Sequence, residues 1–399
     1  METLRIAIPL KDFWPERERL QPWRYMCALA EALREDGHEV TIVTHKFPRS
    51  DWRGIPIVHR GSSRSIYNPR FLADVLSDLK TDGTFISVSS QFMLSAKKPH
   101  PHGRRRRSPA VGIVLGPLYG TRQLAKRMLN PLLIPDIAID IPHLASWFSR
   151  KCGSWTDSGE YLDHLTFVWR GDMAAAVSAG VNQTACSVYP HPFDPFFLNW
   201  NKNQGPAGIM SQLPPAQKRV VFAGPEEFSR GLHQTMALAD RISSNLPTQV
   251  LVLVRDFSHQ SPVITTKMHG RHSCVVVRGV LSKEEIRDAF GSATLGLFPY
   301  LFVRSAFPLV LLEAVATGLI VMTSPVYPLT ELAEETGMQF VNPNDLQSIA
   351  GNIDTLLNDE ERMAQIRRKN EAWIRRTPTW GEMAKTLVGK LKVVGEESA

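Results

Sequence analysis

At 399 residues, 43% hydrophobic and 21% charged, the chain has ordinary globular composition and is too long for one compact core, which points to two domains. The net charge of +7 sits almost wholly in the first half: residues 1–200 hold 25 Lys and Arg against 19 Asp and Glu, residues 201–399 hold 21 against 20. No apolar run has bilayer length, METLRIAIPL is too short for a signal segment, and Cys27, Cys152, Cys186 and Cys274 lack metal-type or redox-type spacing, so a cytoplasmic protein with reduced, structural cysteines is expected.

In chain order, Leu4–Leu10 reads as a first strand. PWRYMCALAEALREDG, from Pro22, has apolar residues at helical spacing with Gly37 as stop, and HEVTIVTH follows as a parallel strand. Gly83–Ser90 and Ala110–Gly116 read as further buried strands. Between them KKPHPHGRRRR, Lys97–Arg107, is the densest basic run. It attracts phosphate or anionic lipid, or else is a solvated loop; with no interleaved aromatics and no nucleic-acid motif, nucleic acid is not an expected partner. TRQLAKRMLNPLLIPDI, Thr121–Ile137, mixes Arg122, Lys126 and Arg127 with Leu124, Met128, Leu129, Leu132, Leu133 and Ile134. Such a helix lies in a membrane interface or packs its apolar side on a core, and both readings stay open. MAAAVSAG and CSVYPHPFD close this half as helix and strand.

Asn199–Arg219, rich in Pro, Gly, Asn and Gln, reads as a linker. Beyond it the pattern restarts. VVFAG, QVLVLVRD, CVVVRGV, TLGLFPY, LIVMTSP and MQFVN are strands, and RGLHQTMALADRI, SKEEIRDAFGSA, PLVLLEAVATG and DLQSIAGNIDTLLND are helices. Ser282 with Glu285 three residues on is a capping box. The expected fold is α/β, two doubly wound Rossmann-like domains facing a cleft, with residues 1–198 and 220–376 on either side of the linker 199–219. Ligands of such sheets lie at the carboxyl edges of the strands.

One stretch carries the chemistry. A strand ends at Tyr300, LFVRSAF is a loop, and a helix begins at Pro308, a favoured first-turn residue. The free amides of Leu309 and Val310 would attract a phosphate. Glu313, one turn in, is the lone charge of an apolar helix and needs a partner. Ribose hydroxyls would serve; so would the helix dipole alone.

LLEAVATGLIVMTSP (Leu311–Pro325), TELAEETGMQFVNPND, VFAGPEEFSRG (Val221–Gly231), VVVRGVLSKEEIRDAFGSATLGLFPY and YPHPFDPFF (Tyr189–Phe197) together resemble GT-B glycosyltransferases of family GT4, the group 1 glycosyl transferases. RIAIPL with LAEALREDGHEVTIVTH resembles that family's opening, and TPTWGEMAKTLV its closing helix, which implies that 377–399 crosses back to the first domain. The resemblance is close over 220–346 and slight over 45–175. It implies a nucleotide-diphosphate-sugar donor in the second domain, retention of configuration and no metal or other cofactor. Glu313 would hold the donor ribose, the amides of Leu309 and Val310 would face the diphosphate, and Arg230 would neutralise the leaving group; Gly224, Gly279 and Ser305 would complete the donor wall. Catalysis is thus assigned to Arg230 and Glu313. The basic first domain would take the acceptor, and an acceptor carrying phosphate or lipid, presented at an anionic membrane, suits both Lys97–Arg107 and Thr121–Ile137.

The departures are specific. Ser305 stands where the family has its first acid, Pro225 where it has Arg, and Pro308 where it has Gly. PERERLQPW replaces a Gly-Gly loop, so Arg17, Arg19 and Arg24 are candidates for the missing phosphate contacts. GIVLGPLYG offers no first-domain histidine, and His100 and His102 have no assigned role. An active transferase, a degenerate binding or partner subunit, and a GT-B sugar-nucleotide epimerase are the readings carried forward; the last would need acid and histidine residues around the sugar.

Overall fold

A computed structural model describes residues 2–62, 68–89, 92–93, 108–156, 161–200, 208–259, 261–305, 307–332 and 335–397. The basic run Lys97–Arg107, with His100 and His102, lies outside them.

The first half builds β1 (Arg5–Pro9), α1 (Trp23–Glu35), β2 (Glu39–Thr44), β3 (Asp51–Trp52), β4 (Ile55–His59), α2 (Pro69–Asp78), β5 (Gly83–Val88) and β6 (Ala110–Val114). It continues with α3 (Thr121–Met128), α4 (Ile141–Lys151), β7 (His164–Phe167), α5 (Arg170–Val177) and β8 (Cys186–Val188). Its sheet runs β3-β4-β2-β1-β5-β6-β7-β8, parallel except for the short β3–β4 hairpin. β1 is buried from Ile6 onward because helices cover both faces, which is why it reads as an unbroken apolar run. On α1, Met26, Leu29, Ala30 and Leu33 repeat at helical spacing and form its buried stripe.

The second half builds β9 (Lys218–Pro225), α6 (Leu232–Met236), β10 (Thr248–Arg255), β11 (Val263–His269), β12 (His272–Gly279), α7 (Lys283–Gly291) and β13 (Leu295–Phe298). α8 (Leu309–Ala316), β14 (Ile320–Thr323), β15 (Gln339–Phe340), α9 (Leu346–Leu357), α10 (Glu360–Ile374) and α11 (Trp380–Glu397) complete it. Its sheet runs β11-β12-β10-β9-β13-β14-β15. The Ser282 hydroxyl accepts from Glu285 N at 3.1 Å while the Glu285 carboxylate accepts from Ser282 N at 2.8 Å, so the capping box forms.

Two elements differ from the sequence pattern. Between β10 and β12, where that pattern marks no element, β11 intervenes as an antiparallel edge strand. Its sequence VITTKMH is exposed or half-exposed throughout, so it lacks the apolar signature of the inner strands. The expected helix over RGLHQTMALADRI stops at Met236, and Leu238, Ala239 and Ile242 are buried from irregular turns instead. α11 returns to the first half and packs on α1, with Leu387 and Leu391 buried. No helix among the described residues is long and apolar enough to cross a membrane.

Candidate active site

The carboxyl ends of β9, β10 and β12 face those of β5 and β6 across a cleft of about 900 Å³. Gly224, Arg230, Gly279, Ser305, Leu309, Val310 and Glu313 all line it. The elements explain the placement. β9 delivers Gly224 and Pro225 to the rim, and a single 3-10 turn, Phe228–Arg230, swings Arg230 inward. That turn ends at Gly231 in the left-handed region, where a Cβ would lie 2.2 Å from the Pro299 carbonyl oxygen, so only glycine closes it. The loop after β13 then leads into α8, whose Pro308 cap offers no side-chain hydrogen bond to the first-turn amides.

Arg230 is fixed before any ligand arrives. Its Nε donates to Glu227 Oε2 at 2.9 Å, and Tyr300 is a second partner. Burial works against the Arg230 charge, but Glu227 and Tyr300 outweigh it and raise its pKa. Burial likewise pushes the Glu227 carboxyl up, yet Arg230 and Arg304 together hold it below its ordinary value. The outcome is a charged guanidinium held stiffly at the cleft wall. Ser305 donates to the Phe307 carbonyl at 3.2 Å and so braces its own loop. Glu313 is buried and ion-paired with Arg24 of α1, which reaches across from the first half.

Of the three arginines proposed for phosphate, Arg24 lines the cleft. Arg17 donates to the Asp12 carbonyl at 3.1 Å and lies 4.8 Å over the Trp23 ring, away from the cleft wall. The Arg19 side chain is outside the described residues.

Several cleft residues carry no local sequence signal. Arg304 binds Asp140 at 2.7 Å, Glu227 at 3.0 Å and Asp136 at 3.1 Å, and so ties the first half to the second. Asp136 also accepts from Ser229 N at 3.0 Å, and Arg127 pairs with Asp140 from behind. GIVLGPLYG supplies no histidine, but His143 of α4 lines the cleft beside this cluster. Burial lowers its pKa to about 4, so it is neutral. On the far side of the same wall Arg53 bonds Glu31 at 2.9 Å and Glu18 at 3.3 Å, and its guanidinium sits 5.0 Å over Trp52. Arg53 holds a left-handed φ of 49°, a strained conformation kept in place by those contacts. Among the described residues no cluster of histidine, cysteine and acid side chains could hold a metal ion.

Residues 217–359 match the family model for glycosyl transferases group 1. An uncharacterised glycosyltransferase of Methanocaldococcus jannaschii is 19% identical over 396 residues, covering 92% of this chain and 93% of that one. Among solved structures, a glycosyltransferase from Rickettsia africae superposes with a TM-score of 0.68 at 10% identity, covering 99% of each chain. Anabaena HepE, solved with UDP and glucose, superposes at 0.65 and 12% identity, covering 98% of this chain and all of its own. Residues 217–359 thus match glycosyl transferases group 1, and the whole chain has the GT-B fold of the glycosyltransferases on which it superposes.

Proposed function

We propose that the protein moves a sugar from a nucleoside diphosphate sugar to an acceptor hydroxyl, with residues 220–376 as the donor domain and 1–198 as the acceptor domain. The carrying observation is Arg230, a cation immobilised by Glu227 and Tyr300 beside the uncapped first turn of α8. As the bond between the anomeric carbon and the diphosphate oxygen breaks, negative charge grows on the diphosphate. Arg230 and the amides of Leu309 and Val310 are aimed at that charge without reorganising. The acceptor oxygen forms the new bond to the anomeric carbon as its proton passes to the departing diphosphate oxygen. Glu313 takes the ribose hydroxyls, and Gly224, Gly279 and Ser305 shape the wall around the donor. A fixed guanidinium suits transfer that needs no metal, and the family resemblance implies retention at the anomeric carbon. Anabaena HepE, a structural relative, is solved with UDP and glucose, which makes UDP-sugars the first donors to try.

The acceptor side carries its own signal. Leu129 is 82% exposed, and Met128, Leu132, Ile134, Ile141 and Phe148 are exposed around it. Arg122, Lys126 and Lys151 are exposed on the same segment. α4 bears Ile141 and Phe148 on this surface while its Pro142, His143 and Ser146 line the cleft. An apolar face with a basic fringe fits an anionic bilayer, and a lipid-linked acceptor or cell-surface polysaccharide precursor held there reaches the cleft directly.

Calorimetry against nucleoside diphosphates and their sugar conjugates tests the donor reading: one nucleotide should bind, and Glu313→Ala should abolish it. Binding unaffected by that change, or no binding at all, would overturn it. Co-sedimentation with anionic vesicles tests the acceptor surface; Leu129→Asp with Ile134→Asp should release the protein, and equal binding to neutral vesicles would sink the charge argument.

A further inference from the structure

The ion pair between Arg24 and Glu313 joins the first turn of α1 to the middle of α8 across the cleft. The Glu313 side chain is 11% exposed and the Arg24 side chain 33% exposed. Glu313 is the lone charge in LVLLEAVA, and a carboxylate at that depth without a partner would be costly. Arg24 therefore satisfies it now. The same carboxylate is the one that the donor reading assigns to ribose hydroxyls, and the Arg24 bond engages its Oε1. Oε2 stays available, but a ribose diol that spans both carboxylate oxygens meets the guanidinium on Oε1.

We propose that donor binding is an exchange at this pair: ribose replaces Arg24 on Glu313, and the freed Arg24 turns to the diphosphate. This rests on the donor reading. Arg24 lines the same cleft as Arg230 and the first turn of α8, so an anion between them meets a cation from each half of the molecule. The exchange makes the two parts of the donor interdependent. A nucleoside can claim Glu313 only by stranding Arg24 without an anion. A nucleoside diphosphate supplies the ribose for Glu313 and the anion for Arg24 in one step. Arg24 is thus a positioning residue that ties donor recognition to the phosphates and to contact between the halves.

The prediction is a pair of opposite shifts. In Arg24→Gln the Glu313 carboxylate is free, so a nucleoside should bind several-fold tighter than to wild type. The corresponding diphosphate has lost a charge-assisted contact and should bind ~10-fold or more weaker. Calorimetry with UDP, GDP and ADP and with uridine, guanosine and adenosine reads both. A change in the same direction for both ligands, or no change in either, would overturn the exchange while leaving the donor site standing. A double-mutant cycle on thermal stability, Arg24→Gln against Glu313→Gln in ligand-free protein, reads the pair itself; independent effects would overturn it. Coupling in that cycle with no diphosphate bound by wild type would overturn the donor reading and the exchange together, and leave the pair as a structural bridge.

Discussion

Arg304 and Asp140 lie 2.7 Å apart although 164 residues separate them, and their bond joins the two halves at the cleft wall. Both side chains are less than a tenth exposed. Arg304 also serves Asp136 and Glu227, so three carboxylates share one guanidinium. Removing one partner of a buried charge cluster strands the rest. Arg304→Met should lower unfolding free energy by about 3–5 kcal/mol. Urea unfolding checks this; a change below about 1 kcal/mol would mean that Arg127 alone satisfies Asp140.

Arg230 should matter to the chemical step more than to ground-state binding. Its charge is needed most as the diphosphate departs, so Arg230→Ala should reduce kcat by about 100- to 1,000-fold with a smaller change in KM. Arg230→Lys keeps the charge but loses the fork shared with Glu227 and Tyr300, and should recover part of the rate. Steady-state kinetics with the donor found by calorimetry decides it. A loss confined to KM would assign Arg230 to binding alone.

What the sequence reveals and what it hides divide along a physical line. Strands β1, β9, β10 and β12 are legible because each is a short apolar run buried on both faces. Glu313 is legible because one carboxylate in an apolar helix demands an explanation. Arg304 is not, because its partners at Asp136 and Asp140 lie in the other half and ion pairs between distant segments leave no periodic trace. Thr121–Ile137 reads either as a membrane-seeking or as a core-facing helix; over Pro131–Asp140 the structure leaves Ile134 and Ile137 exposed and turns Asp136 and Asp140 inward to Arg304 and Arg127. The stretch is amphipathic with its charges buried, the reverse of the usual sense. His143 escapes notice because it follows this stretch on α4 rather than the loop after β6.

Glu331 supplies a second bridge. Its carboxylate accepts from Arg170 N and Gly171 N, both at 3.0 Å, and so caps α5 from the opposite half. Gly171 permits the approach, since a Cβ there would lie 2.9 Å from Glu331 Oε1. The cap combines two orphan amides with a charge at a positive helix end. Glu331→Ala should cost about 1 kcal/mol, and Glu331→Gln somewhat less, because one amide oxygen still accepts. Chemical denaturation of both variants tests this, and equal stability of all three proteins would discount the bridge.

Beside that bridge, Asp172 gives the protein an unusual pH response. Its Oδ1 accepts from Leu118 N at 2.7 Å and from the Tyr327 hydroxyl at 2.5 Å. Burial pushes its pKa from 3.8 up to about 7, and Glu331 adds to the rise while Tyr327, the Leu118 amide and Arg150 oppose it. Between those values the folded protein holds a proton that the unfolded chain has released. This contribution to stability is full below pH 3.8 and is lost as pH rises through about 7. His143, His164 and His191 work in the other sense. Burial lowers them from 6.5 to about 4, 4 and 3, so their contribution is full above pH 6.5 and is lost as pH falls through about 4. Three histidines outweigh one carboxylate over this range, so wild type should be most stable near pH 7. Asp172→Asn removes the alkaline loss alone, so relative to wild type it should gain about 3 kcal/mol between pH 5 and pH 8. Urea midpoints at pH 5, 6.5 and 8 measure the difference. A variant that tracks wild type at all three would show that Asp172 is ionised in the folded protein, with Arg150 as its counter-charge.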